Sequence, residues 1–267
     1  MESARIIREA VAGSALNASH TGCGLVQDAY SLRCMPQVHG AVRGALTYVA
    51  GALTTEVNAF TDNPLVLARD DGGYDVISGG NFHGASVALP IDHLAAALTV
   101  LATISERRLD RFLNPETSRG LPAFLADRPG LESGMMMIQV TASALASECK
   151  TLAVPASTDT IPTSAGKEDH VSMGPIAARK LAAVVETVAR VLAIEATVAA
   201  RALDLRRLDS SPALMRVHAA IRSHVAPTTG DRSFAAEIEA LAAAILRGEL
   251  REAAGLAHPL APGSSTA

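Results

Sequence analysis

One short segment of the chain combines side chains that suit the binding of an amino-acid carboxylate. Gln27, Tyr30 and Arg33 lie three residues apart, so a helix through this segment would place them on one face. The planar guanidinium of Arg33 matches a carboxylate through two parallel hydrogen bonds. The spacing fits a helix start with ordinary polar surface residues equally well, and both interpretations stay open.

A second polar segment, residues 77–84, carries paired glycines followed by Phe82. Glycines let the backbone approach another chain or a ligand closely, and the ring of Phe82 could face a substrate. The alternative is a tight exit from a hairpin, with Phe82 filling a place in the core. The residue types alone favour this structural alternative.

A third segment, residues 160–172, contains the run Glu168-Asp169-His170. Two carboxylates beside an imidazole suit acid–base chemistry. Carboxylates ahead of a helix also stabilise its N-terminal dipole, and the residues alone favour that capping role.

Several classes of function find no support in the sequence. The dinucleotide fingerprint, the P-loop, the HExxH metal motif and the GxSxG elbow do not occur in it. His83, His93 and His170 are scattered, so we predict no metal site. A net charge of −4 and the lack of a basic run predict no nucleic-acid partner. We also predict no membrane span or signal peptide, and three reduced cysteines (Cys23, Cys34 and Cys149), as in a cytoplasmic protein.

The elements that must position these segments are predominantly helical. Asp-Gly-Gly between two short apolar runs predicts one β-hairpin, with strands at 65–68 and 74–77. Apolar periodicity and breakers predict helices at 4–16, 38–60, 85–112, 133–152, 172–205, 212–224 and 234–247. We therefore expect a mainly α protein, an elongated helical bundle that associates into oligomers. Residues 1–257 would form this single helical domain, and residues 258–267 a disordered tail.

Six stretches of the chain, taken in order, resemble the C-terminal half of histidine ammonia-lyases in the aromatic amino acid lyase family. The resemblance runs from Ala4 to Arg207. The stretches are VQDAYSLRCMPQVHGA, TDNPLV, ISGGNFHG, SERR, SGMMMIQVTASALASE and PTSAGKEDHVSMGP. It implies the fold of that family and the elimination of ammonia from an aromatic amino acid, which for histidine leaves urocanate. It also implies a methylidene-imidazolone electrophile, formed from an internal Ala-Ser-Gly, because the amine is a poor leaving group without covalent activation.

The resemblance assigns roles to the first segment. Arg33 would bind the substrate carboxylate. Tyr30 would act in catalysis through a hydrogen bond near the carboxylate and the electrophile, and Gln27 would belong to the same wall of the site.

The other two segments would hold the side chain of the substrate. Phe82 would line the aromatic pocket, and Asn81 and His83 would support it. Glu168 would contact the substrate imidazole as a hydrogen-bond partner or proton acceptor. This carboxylate favours histidine over phenylalanine or tyrosine, because imidazole can pair with a buried carboxylate and an apolar ring cannot.

The chain departs from the family pattern in one respect, since it contains no Ala-Ser-Gly. The nearest tripeptides are Ala-Ser-Ala at 142–144 and Ala-Gly-Ser at 12–14. Members of the family are tetramers whose sites draw residues from several chains, so the resemblance implies an N-terminal half in trans, in a homo- or hetero-tetramer. The alternatives are an inactive truncated fragment and a non-catalytic binding or assembly protein. A lyase or aminomutase for phenylalanine or tyrosine also stays open.

Overall fold

Two long helices form the axis of the molecule, which a computed structural model describes for residues 2–256. The elements are α1 Glu2–Ala10, α2 Ala15–Ala18, α3 Tyr30–Arg33, α4 Met35–Val57, β1 Leu65–Ala68, β2 Tyr74–Ile77, α5 Ala85–Leu113, α6 Met136–Leu152, α7 Gly174–Arg206, α8 Pro212–His224, α9 Ala235–Arg247 and α10 Glu249–Ala253. At about 1.5 Å of rise per residue, α5 is about 43 Å long and α7 about 50 Å. Helices α4 and α6 pack beside this pair, and α9 packs on α7. The predicted helical bundle with a single hairpin is therefore confirmed for these residues.

One face of α7 is buried along its whole length. Val184, Val188, Val191, Ile194 and Val198 are nearly inaccessible to solvent, as their spacing of three and four residues predicts. Val184, Val188 and Val191 pack on alanine and cysteine side chains of α5 and α6. Ile194 and Val198 pack on leucines and isoleucines of α5, α8 and α9. These two sets of contacts hold α5 against α7.

The β-hairpin forms at the predicted residues. Leu65 pairs with Ile77 and Ala68 pairs with Tyr74 in an antiparallel register. Gly72 occupies the turn with a φ of 80°, a conformation that favours glycine. Most hairpin side chains are exposed, so the hairpin adds little to the core.

Several predicted boundaries are wrong. A single helix over residues 4–16 does not form, because the chain breaks at Gly13, where φ is 76°, and Ser14 then caps α2 by accepting a hydrogen bond from the Asn17 amide at 3.0 Å. Helix α4 begins three residues before the predicted start because Pro36 fits its first turn. The predicted tail at 258–267 lies outside the described residues.

Within the described residues, the helical stretch 81–113 is long and apolar enough to cross a membrane. It packs against α4, α6 and α7, which is the arrangement of a core helix in a bundle. Apolar side chains nevertheless remain exposed on α4, α5, α6 and the loops that follow α4 and α6: Val57, Phe60, Leu89, Val100, Met137, Val140 and Val154.

Candidate active site

The first candidate segment forms a cluster, but by a different geometry from the predicted one. Helix α3 begins at Tyr30 after an extended Ala29, so Gln27 precedes the helix and does not share its face. The chain folds back instead, and the Arg33 guanidinium donates a hydrogen bond to Gln27 Oε1. The same guanidinium lies over the Tyr30 ring, 5.6 Å from the ring centre. A cation, a phenol and an amide thus meet at one exposed place.

A buried ion pair lies beneath α3. Arg108 of α5 donates to Glu195 of α7, with 2.9 Å between Nη2 and Oε2, and both side chains are largely inaccessible. Ser105 donates its hydroxyl proton to the same carboxylate. Arg108 Nη1 also lies 3.5 Å from the Ser31 carbonyl oxygen in α3. Removing two charges from water is costly, so their mutual contacts must offset that cost.

The pairing of Arg108 with Glu195 was not predicted from the sequence. Arg108 ends the SERR stretch quoted above, but its partner Glu195 lies on a helix far along the chain. The available signal was a set of charged residues inside two otherwise apolar helices. Nearby on α4, burial lowers the pKa of His39 and the positive charge of Arg108 lowers it further, against an opposing effect of Glu195. His39 is therefore held in its neutral form beside the ion pair.

The Phe82 turn lies at the other end of α5. Residues 81–83 form one turn of 3-10 helix directly before α5. Phe82 is 55% exposed, so the preferred expectation that it plugs the core is wrong for this chain. Asn81 donates from Nδ2 to the Phe60 carbonyl oxygen at 3.2 Å, which ties the turn to the end of α4.

Glu168 lies on an exposed loop beside the Phe82 turn. The Thr163 amide donates to the Glu168 carbonyl oxygen at 3.0 Å, and the Val171 amide donates to the Thr160 hydroxyl at 2.8 Å. The expected capping role of this segment is wrong, since α7 starts only at Gly174 and has no acidic residue in its first turn. Within residues 2–256, no side chain pairs with the Glu168 carboxylate.

The two groups of candidate residues are far apart within one chain. Arg108 marks the position of α3 along α5, and the Phe82 turn precedes Ala85 at the start of the same helix. The run of α5 from Ala85 to Arg108 is about 35 Å long. An amino acid cannot span that distance. A single copy therefore presents two parts of a site, and does not close a pocket that contains both.

A cleft of about 750 Å³ adjoins the α3 end. Gln27 lines it, together with residues of the preceding loop and the polar end of α5, but Tyr30 and Arg33 do not. Arg119 pairs there with Asp28 at 3.1 Å. The pKa of the exposed Cys23 thiol is lowered by the Leu25 backbone amide and by Arg119.

Neither near match to Ala-Ser-Gly fits an electrophile precursor. Residues 142–144 lie inside α6, where the Ser143 hydroxyl donates to Glu106 Oε1 at 3.0 Å. Residues 12–14 end in the serine that caps α2. Both tripeptides have structural roles, and neither ends in the required glycine. The residues of this chain therefore do not fit the group.

The sequence model for aromatic amino acid lyases matches residues 1–223. This chain belongs to the aromatic amino acid lyase family. The family resemblance and the fold that it implied are thereby confirmed.

Relatives in the lyase family cover nearly all of this chain. It is 51% identical over 258 residues to a histidine ammonia-lyase of Koribacter versatilis (strain Ellin345), covering 93% of this chain and 50% of that protein. It is 53% identical over 247 residues to one of Sorangium cellulosum (strain So ce56), covering 91% and 48%. The chain thus spans about half the length of the curated relatives it matches.

Solved structures of the family share the fold. The crystal structure of histidine ammonia-lyase from Trypanosoma cruzi has a TM-score of 0.81 at 41% identity, covering 94% of this chain and 52% of that one. A tyrosine aminomutase from Streptomyces globisporus has a TM-score of 0.83 at 36% identity, covering 93% and 50%. The shared architecture therefore extends to members of the family with different names and reactions.

Proposed function

We propose that this chain supplies substrate-binding residues to a histidine ammonia-lyase, which converts histidine to urocanate and ammonia. The observation that carries the proposal is the exposed cluster of Gln27, Tyr30 and Arg33 above the buried Arg108–Glu195 pair. A cation fixed on a rigid support and open to solvent suits the capture of an anionic substrate group.

Arg33 binds the substrate carboxylate in this proposal. A guanidinium carries five N–H donors, and Gln27 occupies one of them. The remaining donors suffice for a bidentate pair with a carboxylate. Tyr30 lies under the guanidinium, where its hydroxyl can hydrogen-bond near the carboxylate.

Glu168 and Phe82 bind the side chain of the substrate. The Phe82 ring contacts the flat face of the imidazole, and the Glu168 carboxylate pairs with a ring nitrogen or accepts its proton. A carboxylate kept in a closed pocket needs such a polar partner. This requirement supports histidine over phenylalanine or tyrosine as the substrate.

The two parts of the site come from different copies of the chain in the assembled enzyme. The separation of about 35 Å along α5 supports this arrangement. The exposed apolar side chains of Val57, Phe60, Met137 and Val140 also support association, because burying them between copies would remove apolar surface from water. We propose a homo- or hetero-tetramer in the cytoplasm.

The electrophile comes from residues outside these 267. When present, the methylidene-imidazolone group supplies the covalent activation that lets the amine leave. We propose that a partner chain, an N-terminal lyase half with Ala-Ser-Gly, provides it in trans. The chain alone is then inactive.

The test is the formation of urocanate, followed by its ultraviolet absorbance after histidine is added. The chain is assayed alone and after co-expression with the product of a neighbouring reading frame that carries Ala-Ser-Gly. Activity in the mixture only is the expected result. Activity of the chain alone would contradict the need for a partner. Inactivity of both would favour a truncated fragment or a non-catalytic assembly protein.

A second candidate is an aminomutase, favoured by the similarity to the tyrosine aminomutase structure. The same mixture is incubated with tyrosine or phenylalanine, and the products are separated by chromatography. A β-amino acid product would support the aminomutase. An arylacrylate from these substrates, without urocanate from histidine, would support a lyase of different specificity.

A further inference from the structure

Two histidines join the turn that carries Phe82 to the loop that carries Glu168. His83 Nε2 lies 2.9 Å from the His170 backbone carbonyl oxygen. The two imidazole rings stack with 5.6 Å between their centres and 18° between their planes. His83 follows Phe82 directly, and His170 lies two residues after Glu168. The contact therefore lies between the two proposed binding residues.

The carbonyl acceptor determines how His83 is protonated. A carbonyl oxygen can only accept, so His83 must carry a proton on Nε2 and donate it. His170 Nδ1 lies 3.5 Å from the same nitrogen. It can share that proton only if it is itself unprotonated. Any hydrogen bond between the two rings therefore runs from His83 to His170.

The other hydrogen bonds around Glu168 do not attach its loop to the Phe82 turn. Those from Thr163 to Glu168, from Gly166 to Thr163 and from Val171 to Thr160 join residues of the same loop. They shape the loop but do not attach it to the rest of the site. The His83 hydrogen bond attaches it to the Phe82 turn.

We propose that His83 is a positioning residue, which holds the Glu168 loop against the Phe82 turn through His170 and thereby sets the preference for an imidazole substrate. The inference rests on the proposed binding role of Glu168. It makes His83 a determinant of specificity, although its own side chain is directed at the loop backbone. The physical reason is geometric, since a carboxylate displaced by about 1 Å from its partner loses much of its effect.

The loop is tested first by hydrogen exchange on the full chain in the assembly in which it purifies. In His83→Leu, which keeps bulk but has no donor, the Thr163 and Val171 amides should exchange about 10-fold faster, as expected for the loss of one hydrogen bond. In His83→Gln, whose amide nitrogen can replace Nε2, the rates should stay within about 2-fold of those of the wild type. Amides of α7 serve as the internal reference for global stability. Unchanged loop exchange in His83→Leu would overturn the proposal.

Specificity is tested next, in the active assembly. His83→Leu should lower kcat/KM for histidine by about 10- to 100-fold and that for phenylalanine by about 2-fold or less. His83→Gln should restore most of the histidine activity. His93→Leu is the control, because His93 is an exposed histidine in the first third of α5, and it should leave both substrates unaffected. Equal losses on both substrates would mean that His83 only stabilises the fold, and would contradict the proposal.

The two tests separate this inference from the proposed function. If the wild-type assembly shows no turnover of histidine, the proposed function fails, whatever the exchange rates. If it turns over histidine and His83→Leu alters neither the loop nor the specificity, the role of His83 fails alone.

Discussion

The two ends of helix α5 lie beside candidate site residues that are held in different ways. At the α3 end, the helix that carries Tyr30 and Arg33 contacts a buried ion pair through the Ser31 carbonyl oxygen. At the Phe82 end, Glu168 lies on an exposed loop that His83 and His170 join to the Phe82 turn. The first cluster is exposed but is supported by buried side chains, whereas Glu168 lies on a surface loop.

This difference fits the tasks that we propose for the two ends. Every substrate of the family has an α-carboxylate, so its partner can be fixed in a rigid place. The side chain of the substrate is what differs between relatives, and a loop can change without disturbing the core.

The largest effect should come from the support beneath α3. Glu195→Ala leaves Arg108 buried without its partner, and we expect a loss of about 3 to 5 kcal/mol in the free energy of unfolding. Chemical denaturation measures it. The matched control is Glu239→Ala, which removes an exposed partner of Arg190 and should cost less than about 1 kcal/mol. Similar losses in the two variants would remove the distinction between the ends.

Substrate capture should depend on Arg33 next. Arg33→Ala removes the charged partner of the carboxylate, and kcat/KM for histidine should fall on the order of 100-fold in the active assembly. Arg69→Ala is the control, because Arg69 is an exposed arginine that pairs with Asp71 and Asp75 in the hairpin. Unchanged kinetics in Arg33→Ala would refute the carboxylate-binding role.

The loop end should control the choice of substrate. Glu168→Gln removes a charge that imidazole uses and a phenyl ring does not, so kcat/KM for histidine should fall about 10-fold or more. The value for phenylalanine should change by less than about 2-fold, and Asp169→Asn serves as the control within the same loop. Equal losses on the two substrates would remove the case for histidine.

The smallest effect on stability is expected at Phe82. Because its ring is 55% exposed, Phe82→Ala should change the free energy of unfolding by less than about 1 kcal/mol. Leu109 is fully buried in α5, at the end of that helix near α3. Leu109→Ala should therefore lower the free energy of unfolding by about 2 to 5 kcal/mol. Thermal or chemical denaturation compares the two. A large loss in Phe82→Ala would place its ring in the structural core of the assembly.

Much of the secondary structure could be predicted from the sequence, because its causes are local. The hairpin follows from two short apolar runs around an Asp-Gly-Gly turn, and it forms at the predicted residues. The buried face of α7 follows from its apolar period. The break at Gly13 was missed because one glycine inside a helical pattern is only a weak signal.

The candidate residues could be named from the sequence, but their arrangement could not. Spacing placed Gln27 on a helix, whereas the chain folds back to bring it to Arg33. Capping was favoured for Glu168, whereas α7 begins further along the chain.

The sequence by itself determined the family, the helices and the chemical types of the candidate residues, since motifs and periodicities are properties of neighbouring residues. Only the tertiary structure decided that Arg108 and Glu195 meet under α3 and that His83 reaches His170. It also decided that the two parts of the site lie about 35 Å apart. These contacts join residues that are distant along the chain. They form because the buried faces of α5 and α7 pack against each other in one register. Local spacing does not encode that register.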